Sequence, residues 1–69
     1  MKIEDAKERV KDISTNAWDN EVAHIKEDQL FYDFVEAIIG GKYKSIQEIT
    51  DVAKEVCKVK NLDFTRWHA

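Results

Sequence analysis

The chain contains no proline, and its two glycines stand side by side at Gly40 and Gly41, so its 69 residues hold one strong break with long uninterrupted segments on either side. A single cysteine, Cys57, excludes an intrachain disulfide and a four-thiolate zinc site made by this chain alone. It points to a reducing cytosol as the expected compartment. No apolar stretch approaches the roughly 20 residues needed to cross a bilayer, and the charged first twelve residues carry no secretory pattern. No membrane partner is expected. Repeats and low-complexity tracts are also missing, so residues 1–69 read as a single helical domain. A chain of this size buries only about 60% of the surface its unfolded form exposes, which argues against a deep substrate cavity.

What is present is ordinary for a globular protein: 43% hydrophobic and 36% charged residues. The net charge of −3 is unevenly spread. Residues 1–41 hold ten acids against five bases, whereas residues 42–69 hold six bases against four acids. The lysines of the second part, Lys42, Lys44, Lys54, Lys58 and Lys60, are the only candidate phosphate contacts, and so weak a basic footprint disfavours nucleic acid.

The spacing of apolar residues predicts an all-α three-helix bundle with helices over about 3–16, 20–39 and 46–59. In the first, Ile3, Ala6, Val10, Ile13 and Ala17 recur at steps of three and four, a narrow stripe on an otherwise charged helix. Local pairs Asp5 with Arg9, Glu4 with Lys7 and Glu8 with Lys11 have the spacing to form across one turn. Ser14, Thr15 and Asn16 favour helix ends, which places a turn at Asn16 to Asp19, with Asp19 as the next N-cap. The second helix groups Ala23, Leu30, Phe31, Phe34 and Ile38 on one side, with Val35 and Ala37 flanking, and Gly40 as the expected left-handed terminator. The third opens on a capping box, Ser45 to Glu48, and buries Ile49, Val52, Ala53 and Val56, with Cys57 half-buried at the stripe's edge. Phe64 and Trp67 are expected to dock a C-terminal tail onto the core.

One polar residue breaks the pattern. At 100° per residue Glu27 falls in the middle of the second helix's apolar stripe, with His24 about 60° away. A buried carboxylate needs partners. In the structural reading Glu27 anchors the tail by accepting bonds from Arg66, Trp67 or backbone amides, with His24 completing the network. In the functional reading His24, Glu27 and Asp28 form a small metal-dependent or acid/base site. The structural reading is preferred: it leaves no catalytic residue, no metal ligand and no cofactor assigned.

The run Asp19, Glu21, Ala23, His24, Glu27, Asp28, Leu30, followed by Asp63, Phe64, Arg66, Trp67 and Ala69, resembles a group of small uncharacterised proteins of bacterial genomes, phages and plasmids. The likeness spans residues 19–69 and leaves out the first helix. It implies that the helix motif and the tail motif belong together; no activity comes with it, and His68 falls at a variable place in the pattern.

Without a catalytic constellation, the expected function is that of a non-enzymatic protein-interaction module, an accessory or regulatory protein of a phage or other mobile element. Trp18, Tyr32 and Tyr43 are expected off the main core faces, where exposed aromatics anchor interfaces. The acidic first helix with its narrow stripe is a further candidate surface for a partner or a second copy. Homodimer formation would support so small a core. The enzyme reading predicts an open pocket around His24, Glu27 and Asp28; the nucleic-acid reading predicts affinity that falls steeply with salt.

Overall fold

The computed structural model describes residues 1–62 and Phe64. Three helices, α1 (Ile3–Thr15), α2 (Asn20–Ile39) and α3 (Ile46–Cys57), are followed by a 3-10 turn over Lys58–Asn61. All three helices touch one another, with no strand among the described residues.

Each helix begins where a side chain satisfies an orphan amide. The Asp5 carboxylate accepts from the Lys2 amide at 3.0 Å, Asp19 Oδ1 from Val22 at 3.2 Å, and Ser45 Oγ from Glu48 at 3.1 Å. The reciprocal bond of the Ser45 box goes one residue further back than the motif dictates, with Lys44, not Ser45, donating to Glu48 Oε1 at 3.1 Å.

The helix ends differ in small ways from the sequence reading. α1 stops at Thr15, and Asn16 turns its amide group back onto the Asp12 carbonyl at 2.8 Å. At the end of α2, Gly40 keeps a right-handed conformation and Gly41 takes the left-handed one, at φ 67°. The amides of Gly41 and Lys42 then reach the carbonyls of Ile38 and Ala37, both at 3.1 Å, the two bonds of a Schellman motif. α3 closes at Cys57, two residues early, because the chain tightens into the 3-10 turn that delivers Val59 to the core.

The core is made of Ala6 and Ile13 from α1, Ala23 and Leu30 from α2, Val52 and Val56 from α3, Val59 and Phe64. Ile3, Val10, Ala17, Phe31, Phe34 and Tyr43 pack around it. The α1 stripe packs into this core, its residues facing α2 and α3. Of the tail, Phe64 is buried as expected, at 8% exposure. Trp67 and Arg66 lie outside the described residues.

Charges fix how α1 and α2 align. Arg9 bonds Asp33 at 2.8 Å and Lys26 bonds Asp12 at 2.7 Å, so a later residue of α1 meets an earlier one of α2 and the two run antiparallel. Arg9 thus reaches across to α2 instead of along its own helix to Asp5, whose carboxylate is held by the Lys2 amide. Two hydrogen bonds, from Gln29 and from Arg9, hold the Asp33 carboxyl below its ordinary value of 3.8.

Candidate functional site

α2 positions the polar cluster. His24, Glu27 and Asp28 stand at i, i+3 and i+4, spacings that share one helix face. One ligating atom from each lies within 4.8 Å of the others. His24 Nε2 is 3.4 Å from Asp28 Oδ2, and Asp28 is exposed to solvent. Among the described residues Glu27 is the one buried charged group, at 8% exposure, flanked along the helix by the fully buried Ala23 and Leu30. Both Glu27 and His24 are engaged by other groups of the chain. One imidazole with two carboxylates is a donor set suited to a divalent cation. Its central residue, Glu27, is buried, while Asp28 is exposed.

A groove of about 660 Å³ runs between the beginnings of α1 and α3, lined by Met1, Ile3, Lys42, Lys44, Glu48 and Val52 among others. None of His24, Glu27 or Asp28 lines it. Its walls alternate in charge, Lys2, Lys42 and Lys44 against Glu4, Glu48 and Asp51, which suits neither an anion nor a cation well. Lys54 of α3 and Lys58 of the 3-10 turn are exposed, and Lys58 is drawn to Glu55 at 2.8 Å.

The three aromatic candidates separate. Trp18 is 83% exposed and Tyr32 64% exposed. Tyr43 instead is half-buried, its ring edge-on to Phe34 at 6.1 Å between centroids, because the turn after Gly41 folds it back under α2. Its hydroxyl is buried with no hydrogen-bond partner among the described residues. Burial first, then the nearby Glu48 and Asp5, push the phenol above its ordinary value of 10.0.

The surface that sequence reasoning missed is the outer side of α2. Ile25, Val35 and Ile39 are 60%, 51% and 79% exposed, and with Tyr32 they form an apolar stripe along the helix. Ile38, expected in the core, is also 40% exposed. The signal was present as a seven-residue interval: Trp18, Ile25, Tyr32 and Ile39, with Val35 between the last two. Cys57 is exposed rather than half-buried, its position falling just beyond the face that buries Val52 and Val56.

No protein family, curated protein or solved structure matches the chain.

Among the described residues, no helix is long and apolar enough to cross a membrane. The exposed apolar residues of α2 share their side of the helix with charged ones, Glu21 and Asp28. Exposed apolar residues grouped on one helix face, with carboxylates among them, mark a contact site more often than scattered apolar residues do.

Proposed function

We propose that the chain is a non-enzymatic protein-interaction module, serving as an accessory or regulatory protein of a phage or other mobile element. The observation that carries this reading is the outer stripe of α2, in which Ile25, Tyr32, Val35 and Ile39 each expose half or more of their surface while the same helix buries Leu30 completely. Tyrosine and aliphatic side chains grouped on one rigid helix present large contact area at small conformational cost. The mobile-element context rests on the paired helix and tail motifs and the resemblance they carry.

Affinity capture from the native host with two baits tests the reading. The parent should retain a partner that the double variant Val35→Glu/Ile39→Glu does not, while both baits melt at the same temperature, since neither position is in the core. An identical set of retained proteins would remove the stripe from the function.

A second reading is favoured by the convergence of His24, Glu27 and Asp28 within 4.8 Å. A metal-dependent or acid/base role predicts heat on titration with Zn²⁺ or Mn²⁺ that disappears in His24→Ala. Heat unchanged by that substitution would end it.

A further inference from the structure

α2 is 20 residues long, about 30 Å, whereas α1 and α3 have 13 and 12 residues, about 20 Å and 18 Å. Two short helices and a turn cover one side of it. On the other side Ile25, Tyr32, Val35 and Ile39 fall within an arc of about 80°. Glu21 and Asp28 lie inside that arc and Glu36 about 20° beyond its border, and all three are exposed. No lysine or arginine of α2 lies on the face, and His24 stands about 20° beyond its other border with Nε2 3.4 Å from Asp28 Oδ2. The helix has one lysine and no arginine, and Lys26 sits about 100° from the stripe with its Nζ held by Asp12 of α1 at 2.7 Å.

Apolar positions seven residues apart, with carboxylates between and beside them and no lysine or arginine of α2 on the face, are half of a pairing code. A second copy of the chain would set the same three carboxylates against themselves, and like charges brought together at an interface are repelled. An acidic or neutral helix would leave them uncompensated. From this geometry we infer that the outer face of α2 receives an amphipathic helix of a partner protein whose apolar stripe is flanked by lysine or arginine. The inference rests on the interaction-module reading and deepens it by naming the chemistry of the partner. Ile25, Tyr32, Val35 and Ile39 supply the apolar seam; Glu21, Asp28 and Glu36 select the sign of the occupant.

The test uses the full chain and two synthetic helical peptides with the same leucine stripe, one flanked by lysine and arginine, the other by glutamate. In fluorescence anisotropy the basic peptide should bind about ten-fold tighter, the yield of three surface charge pairs, and should weaken as salt is raised. Glu21→Gln/Asp28→Asn/Glu36→Gln should abolish that preference. Neutralising three acids elsewhere, Glu4→Gln/Glu8→Gln/Asp51→Asn, should keep it, which separates the face from the overall negative charge. Equal binding of the two peptides, binding of neither, or a preference that survives in the first triple variant overturns the inference. So does a stable dimer of the chain alone in sedimentation that Val35→Glu dissociates. The two proposals fail differently. A host partner lost with Val35→Glu/Ile39→Glu but retained in full by the first triple variant leaves the module standing and removes the basic helix.

Discussion

The two sides of α2 are both rich in apolar residues, yet one is core and the other is surface. The inner side holds Ala23, Glu27, Leu30 and Ala37, all buried, and the outer side holds the larger Ile25, Tyr32, Val35 and Ile39, all exposed. Phe31 and Phe34, half-buried, pack against the core as well. What decides burial is fit: alanines at 23 and 37 let neighbouring elements approach closely, and Leu30 fills the space between them. Bulk on the far side is then unneeded for folding, which is why it is free to do something else.

The contrast is sharpest at Leu30 and Ile39. Leu30→Ala should destabilise the chain by about 2–5 kcal/mol, through lost transfer energy and an unfilled cavity, while Ile39→Ala should stay within about 0.5 kcal/mol. Urea unfolding of the two variants reads this directly, and similar losses would mean that both sides are structural. The next largest effect is expected at Glu27, which counts as an inner residue despite its charge. Glu27→Ala should cost about 2 kcal/mol, since it leaves the groups that engage the carboxylate without it. A variant that melts like the parent would move Glu27 out of the fold's support and into the candidate cation site.

The two tyrosines give a smaller and subtler comparison. Tyr43→Phe removes a buried hydroxyl that lacks a partner among the described residues, so stability at neutral pH should hold or rise by up to about 1 kcal/mol, whereas Tyr32→Phe should change nothing. Alkaline titration separates them further. The Tyr43 phenol is raised above 10.0 in the folded chain, so its contribution is fully present below that value and is lost as pH rises through the folded one. The parent should lose stability there more steeply than Tyr43→Phe. The smallest effect is at the seam between α1 and α2. The Asp33 carboxyl is lowered below 3.8, so its contribution is present above that value and disappears as pH falls through the folded one. Acid unfolding should therefore begin at higher pH in the parent than it would without this loss, and Asp33→Asn should flatten that limb of the curve.

Helix number, order and most boundaries could be read from the residues, because caps and periodicity are local properties. Asp19, Ser45 and the glycine pair mark the ends of α2 and α3 whatever the tertiary structure. The central place of Glu27 followed from helical angle alone, and the structure buries it. Three features were not legible. Ile38 and Val35 could be ranked on the stripe but not on which neighbours exist to cover them, and while Ala37 between them is buried, both are exposed. Arg9 had an acid one turn away and chose one 24 residues away, a choice made by helix alignment. Cys57 was misplaced because α3 ends there and the turn that follows carries its own face, led by Val59. The interval of seven along α2 was readable, but it points outward and so says nothing about the core that periodicity is normally used to find.

The reversal after α2 also sets a rule of handedness for anyone altering it. At φ 67° Gly41 has open space where a side chain would begin, so the objection to an ordinary alanine there is stereochemical rather than steric crowding. A mirror-image alanine, introduced by chemical synthesis within reach of a 69-residue chain, would sit in its own favoured region at that position and stiffen the corner that folds Tyr43 back under Phe34.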